Sequence, residues 1–248
     1  MYEEFAGIYD RMMSEIPYDV WFEKLLAYLK DRGIDRGHLC ELGCGTGEMT
    51  GRFSEAGYEV TGIDLSPDML ALARDKEKEN TDILYLNQDM TDFSLHKPAD
   101  VVLCICDSLN YLLEREELLR TFVHVRENLT QNGIFIFDLK TEYCFSHILG
   151  DGIRVEDEEE YTVIWDNEYD CKEKVNEYLL TMFVRQPNSG LYERYDECHR
   201  QRAYTSEEIR ELLSEAGLSV IDCFGEKMSG LPGSEEERIY FTAGKETI

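Results

Sequence analysis

With 248 residues and a formal net charge of −27, the chain can bury a substantial core as one α/β domain, with or without an insertion. Its acidity argues against nucleic acid, whose phosphates such a surface repels and whose binders carry a basic footprint. No apolar run approaches the ~20 residues of a membrane helix, Met1-Tyr2-Glu3-Glu4 lacks the start of a secretory signal, and eight cysteines without a C-x-x-C pair suit buried thiols in a reducing cytoplasm better than disulfides or a metal site.

The first segment, 2–32, reads as an amphipathic helical preface: Phe5, Ile8, Tyr9 and Met12 recur at helical spacing, and after Pro17 so do Val20, Leu25, Leu26 and Leu29. A strand at 39–42 then runs into Gly43, Gly45 and Gly47, and a helix follows to 56, stopped by Gly57. A second strand, 59–63, ends in Asp64, and Ser66-Pro67 opens the next helix as N-cap and first helical residue. A third strand, 83–86, is followed by Asp89-Met90. A fourth, 99–105, leads into Cys106-Asp107-Ser108-Leu109-Asn110-Tyr111, with Cys104 and Cys106 expected on one side of it. A helix over 114–129 and a turn at Asn132-Gly133 precede a fifth strand, 134–139. Strands separated by helices at this rhythm predict a parallel, doubly wound sheet.

The rhythm breaks after Gly150. Over 151–204 apolar residues alternate, with Tyr161, Val163 and Trp165 on one parity, Tyr178, Leu180, Met182 and Val184 on another, and a turn at Pro187-Asn188-Ser189-Gly190. That predicts antiparallel hairpins with one wet face, inserted after strand 5. A helix from Thr205-Ser206-Glu207-Glu208 to Ala216, then strands at 219–224 and 238–243, return the chain to the main sheet. The chain therefore reads as a single domain over 1–248, with 1–32 as a helical lid and 151–204 covering an acceptor site or forming a dimer interface; the oligomer is a monomer or a homodimer.

Glycines at a strand-to-helix turn let backbone approach a ligand, and a carboxylate at the tip of the next strand can accept hydrogen bonds from ribose hydroxyls. The spacing is G-x-G-x-G, preceded by Glu41, instead of the G-x-G-x-x-G that holds a dinucleotide pyrophosphate. Glu41-Leu42-Gly43-Cys44-Gly45-Thr46-Gly47 resembles motif I of the class I S-adenosylmethionine (SAM)-dependent methyltransferases, and Gly62-Ile63-Asp64-Leu65-Ser66-Pro67-Asp68-Met69-Leu70 is similar to their second motif. The wider pattern is similar to an uncharacterised bacterial group and, through it, to the macrolide aminosugar N,N-dimethyltransferases. The resemblance implies a Rossmann-like sheet of order 3-2-1-4-5-7-6 with the last strand antiparallel.

It also implies roles. Gly43, Cys44, Gly45 and Gly47 would pack on the methionyl part of SAM near Glu41, and Asp64 would hold the ribose. Leu65 and Met69 would flank the adenine, while Asp89 and the Met90 N–H would meet its polar edge. Cys106 would floor the pocket, with Asp107, Ser108 and Tyr111 toward the acceptor, and Tyr9, Tyr18 and Trp21 would close over it. The product would be S-adenosylhomocysteine (SAH). An amine acceptor must lose a proton to attack, so Tyr9, Asp107 and His199 stand as candidate catalytic residues, with His147 as a further one. No Asn/Asp-Pro-Pro-Tyr segment follows strand 4, which disfavours adenine, cytosine and glutamine and leaves a small molecule as acceptor; from charge, hydropathy and cysteine spacing, no nucleic acid, membrane or metal is expected. RNA or protein methylation, and a catalytically silent SAM-binding protein, remain as alternatives.

Overall fold

The computed structural model describes residues 16–77, 82–186 and 189–246. Its main sheet has seven strands: β1 (His38–Leu42), β2 (Glu59–Asp64), β3 (Ile83–Asn87), β4 (Ala99–Cys104), β5 (Leu129–Lys140), β10 (Leu218–Phe224) and β11 (Arg238–Lys245). Their order across the sheet is β3-β2-β1-β4-β5-β11-β10. β1 to β5 pair in parallel, whereas β11 runs antiparallel to β5 and to β10. This is the expected Rossmann-like order, with β10 and β11 as its sixth and seventh strands.

Helices cover both faces because the parallel strands are apolar on both sides. On one face α1 (Tyr18–Asp31), α2 (Glu48–Glu55) and α3 (Pro67–Asp75) bury Trp21, Leu25, Leu29, Met49, Phe53 and Leu70. On the other, α4 (Arg115–Asn128) and α5 (Ser206–Glu215) bury Phe122, Val125, Ile209 and Leu213. The caps behave as read: the Ser66 hydroxyl accepts from Met69 N–H, and Thr205 and Glu208 form a capping box. α1 is also tied to the far edge of the sheet, where the Tyr28 hydroxyl donates to Asp222 at 2.8 Å and Arg32 pairs with the same carboxylate.

Three local readings change. Val20 is 47% exposed while Trp21 is buried, because the stripe facing the sheet runs through 21, 25 and 29. The turn at Asn132-Gly133 is an irregularity inside a longer β5: Ala99 pairs with Leu129 and Val101 with Ile134, so 130–133 bulge outward. Gly133 allows it, since a Cβ there would stand 3.0 Å from the Ala99 carbonyl oxygen. Finally, β4 ends at Cys104 and Cys106 takes a left-handed φ of 63°, so the two thiols do not share a strand face. The first half of the helical preface, with Phe5, Ile8, Tyr9 and Met12, lies outside the described residues.

The insertion forms its own four-stranded antiparallel sheet of β6 (Gly152–Asp157), β7 (Tyr161–Asp170), β8 (Val175–Arg185) and β9 (Tyr192–Arg202), in that order. Its inner face buries Tyr161, Val163, Leu180, Met182 and Val184, and Met69 of α3 packs against them. The hairpins therefore sit against the helix that follows Asp64. A second tie runs through Asn110, fully buried in the short 3₁₀ turn Ser108–Tyr111. Its amide donates to the carbonyls of Lys140 (3.2 Å) and Arg202 (2.8 Å), and its oxygen accepts from Lys140 N–H (3.0 Å).

One side chain thus fastens the loop, the end of β5 and the end of β9. Asn110→Leu leaves those buried backbone groups unsatisfied and is expected to lower stability by about 2–4 kcal/mol. Urea unfolding measures it, and a loss under ~0.5 kcal/mol would show that the tie is dispensable.

Candidate functional site

The carboxyl ends of β1 to β5 converge on one edge, and the chain leaves β1 there through the glycine turn. Gly43 and Gly45 have φ of 67° and 54°, which few side chains tolerate. They differ in what surrounds them. A Cβ on Gly43 would lie 2.7 Å from Ser108 Oγ, so that glycine serves the close approach of the loop after β4, whereas a Cβ on Gly45 would meet no atom within 4 Å. Gly45 therefore presents bare backbone to open space. Its N–H donates to Asp64 Oδ2 at 2.7 Å, and Ser66 N–H donates to Oδ1 at 2.8 Å. Each carboxylate oxygen of Asp64 keeps a further lone pair. Asn87, at the tip of β3, braces the same corner by donating to the carbonyls of Asp64 (3.0 Å) and Leu65 (2.8 Å). Leu65 is 70% exposed. Asp89 is exposed and accepts from Thr91 N–H, while Met90 is half-buried against the core.

Beneath the turn, Glu41 and Cys44 are buried. Desolvation drives the Glu41 carboxyl up to about 8, the Asp64 charge adds to the rise, and the Thr50 hydroxyl, donating at 2.5 Å, opposes it. At neutral pH Glu41 is therefore largely protonated.

The loop after β4 is held in the opposite way. Cys106 and Asp107 both adopt left-handed backbone, with φ of 63° and 55°. The buried Asp107 carboxylate meets Lys140 Nζ at 3.0 Å, Arg238 Nη2 at 2.7 Å and Gln201 Nε2 at 2.7 Å. Burial alone would raise its pKa; the two cations outweigh burial and hold it at about 2. Arg238 also pairs with Asp138 and lies 5.2 Å over the ring of Trp21, on which Tyr18 packs edge-on.

Farther along the loop the Tyr111 hydroxyl lies 2.8 Å from the Tyr178 hydroxyl and 3.3 Å from His199 Nδ1. His199 Nε2 is 2.8 Å from a Glu197 carboxylate oxygen, and its ring stacks on Tyr178 at 4.8 Å. Burial, reinforced by Tyr178, raises the Tyr111 phenol well above its ordinary value. Carboxylate, imidazole and two phenols so form a chain from β9 of the insertion to the loop of the main sheet.

The structure thus gathers Glu41, the glycine turn, Asp64, Leu65 and Met69 on one part of the edge, and beside them Cys106, Asp107, Ser108, Tyr111 and His199, with Ser108 close against Gly43. Tyr9 lies outside the described residues, while Trp21 lies under Arg238 with Tyr18 edge-on to its ring. Asp107 is committed to two cations and an amide, which makes it a weak proton acceptor. His147 stacks on Tyr143 at 4.9 Å and bonds Ser146 at 2.7 Å, within its own turn. Lys140, Arg238, Gln201, Tyr178 and Glu197 were not singled out from the sequence. A lysine and an arginine on otherwise apolar central strands were the available signal for the first two.

Residues 39–133 match a family model described as a methyltransferase domain. A Geobacillus sp. (strain WCH70) protein named "Putative methyltransferase" is 38% identical over 246 residues, which cover 98% of this chain and 99% of that one. The dTDP-3-amino-3,6-dideoxy-alpha-D-glucopyranose N,N-dimethyltransferase of Streptomyces fradiae is 25% identical, covering 94% and 93%. A crystal structure of an S-adenosylmethionine-dependent methyltransferase from Clostridium acetobutylicum ATCC 824 superposes with a TM-score of 0.89 at 27% identity, covering 98% of each chain.

The buried acid of Glu41 has a stability signature. Its folded pKa, about 8, lies above the ordinary 4.5. Its contribution is therefore complete below the ordinary value and is lost as pH rises toward 8, where the native state must ionise it in the core. In the absence of ligand, Glu41→Gln is expected to flatten the fall in unfolding free energy between pH 5 and pH 8, an effect of about a few kcal/mol. Parallel pH–stability curves for variant and wild type would count against the protonated form.

Proposed function

Because the chain belongs to the S-adenosylmethionine-dependent methyltransferase family, we propose that it methylates a small-molecule amine, with Tyr111 and His199 receiving the proton that the amine must lose. The observation that carries this reading is the Glu197–His199–Tyr111 chain, which runs from β9 of the insertion to the loop whose Ser108 packs against Gly43 of the glycine turn. The Streptomyces fradiae relative, whose name is that of an amino-sugar N,N-dimethyltransferase, supports it.

The residues fit the cofactor. Open space at Gly45 admits backbone approach, and Asp64 retains lone pairs for ribose hydroxyls. Gly43, Cys44, Gly45 and Gly47 would line the methionyl part above Glu41, Leu65 and Met69 would flank the adenine, and Asp89 and Met90 N–H would meet its edge. Cys106 and Ser108 would close the floor, and Tyr18 and Trp21 would cover it. When bound, the cofactor would supply an electrophilic methyl on a sulfonium, open to an amine lone pair in line with the sulfur that leaves as a thioether.

What remains for the protein is alignment, exclusion of water and removal of one proton. With Glu197 accepting from Nε2–H, His199 Nδ1 is left with a lone pair, and Tyr111 bridges it to the acceptor. Asp107, held ionised by two cations, positions the loop and takes no proton. The inner face of the insertion, against Met69 and carrying His199, would roof the acceptor; a dimer interface on this face is the competing role.

Calorimetry is expected to show SAM and SAH binding with no preference for NAD. Asp64→Asn should weaken SAH by about tenfold or more, the worth of a hydrogen bond to a charged acceptor; wild-type affinity would remove Asp64 from the site. With methyl-labelled SAM and a pool of small-molecule amines, His199→Ala and Tyr111→Phe should each slow label transfer by about 10²-fold while leaving SAH affinity unchanged. Undiminished transfer in both variants would assign the proton elsewhere.

A further inference from the structure

Among the described residues, the cations nearest the Tyr111–His199 pair are engaged by other groups. Lys140 is held by Asp107 at 3.0 Å and lies 3.4 Å from the Gln201 side-chain oxygen. Arg238 is held between Asp107 and Asp138, and Arg202 donates to the Leu113 carbonyl at 2.9 Å and lies 3.5 Å from Glu208. The helix after the loop, α4, starts with Glu114 at its N-cap and Glu116 and Glu117 in its first turn, so its positive end is already answered by carboxylates. On the inner face of the insertion Arg154 pairs in register with Trp165 on the edge strand β6, roughly 14 Å and three strand spacings from Glu197.

What faces the pair is aromatic and anionic. The Trp165 and Tyr178 rings lie 5.8 Å apart, Tyr178 stacks on His199, and the Glu197 side chain, 32% exposed, bonds the far side of that imidazole. Rings beside a partly exposed carboxylate recognise a positive charge, and the net charge of −27 biases the surrounding field the same way. A nucleoside diphosphate sugar carries its phosphates only a few bonds from its amine. Cations to answer them would have to stand beside the methyl-receiving nitrogen.

We propose that the acceptor is a cationic amine without phosphate, and that Glu197 selects for its charge. This rests on the N-methylation reading and sets the chain apart from relatives named for dTDP-sugars. An ammonium docks against the ring wall with Glu197 as counter-charge and passes one proton to Tyr111 and His199. The freed lone pair then forms the N–C bond as the S–C bond breaks, leaving the thioether.

The test uses SAH-loaded full chain and three probes followed by calorimetry or NMR titration. They are benzylamine, a ring with a cation; benzyl alcohol, its neutral counterpart; and thymidine diphosphate. Benzylamine should bind about tenfold or more tightly than benzyl alcohol, and thymidine diphosphate should not saturate. Glu197→Gln should erase the preference for the amine. Glu177→Gln, which removes the same charge from the opposite face of β8, where Glu177 pairs with Arg200, should leave it intact. Equal binding of amine and alcohol, tighter binding of thymidine diphosphate, or equal effects of the two variants would each overturn the proposal. Failure of SAH itself to bind would instead strike the methyltransferase reading, so the two failures are distinct.

Discussion

The buried ion cluster around Asp107 is the constraint on which the conformation of the loop after β4 depends. Cys106 and Asp107 are consecutive non-glycine residues in left-handed backbone, each costing roughly 1–2 kcal/mol. They persist because the turn drives the Asp107 carboxylate into a pocket where Lys140, Arg238 and Gln201 converge. With Asp138 the cluster has two anions and two cations. Its members come from the loop after β4, from β5, from β11 and from the insertion, and Arg238 extends it to Trp21 on α1. Losing one partner would leave a buried charge uncompensated, which is far more costly than the cluster's net worth. The cluster thus ties the loop that carries Tyr111 to β5, β11 and the insertion.

That cluster changes the status of the insertion. A doubly wound sheet can bury its core without hairpins at this point, which makes 151–204 look like a detachable cover. Yet Gln201 completes the shell of Asp107, Arg202 supplies its carbonyl to Asn110 and its guanidinium to the Leu113 carbonyl, and the Tyr204 hydroxyl donates to the Leu112 carbonyl. The last strand of the insertion and its exit thus accompany the loop residue by residue. Where Met69 packs on the inner face, the contact is apolar and plastic; along β9 it is polar and directional. The two kinds of contact join the hairpins to both ends of the site.

The main sheet was legible because its signals are local. Glycine spacing, Ser-Pro and Thr-Ser-Glu-Glu caps and apolar strands each declare themselves within a few residues, and a doubly wound sheet follows from their order. The acceptor end was not. Asp107 and Arg238 are 131 positions apart, and nothing near either one announces the other. Asp107 read as a candidate base because an acid on a loop facing substrate is a common general base, and only its partners reveal a carboxylate already spoken for. The Gly133 bulge was hidden for a related reason: Asn-Gly is a turn signal on its own, and the pairing of 129 with 99 that keeps the strand continuous is a long-range fact.

Two buried carboxyls along this edge end in opposite states. Glu41 sits among apolar side chains and Thr50 with Asp64 as its nearest charge, and desolvation keeps its proton to about pH 8. Asp107 is also buried, but two cations hold it ionised down to about pH 2. Burial is common to both; the neighbouring charge decides. Neighbours set the contrast: beneath the glycine turn the Glu41 carboxyl keeps its proton beside Asp64, whereas on the loop after β4 the charge of Asp107 is matched within the fold by Lys140 and Arg238. On the proposed reading, proton movement during turnover falls to groups outside that cluster, and the Tyr111 hydroxyl, in reach of His199, is placed for it.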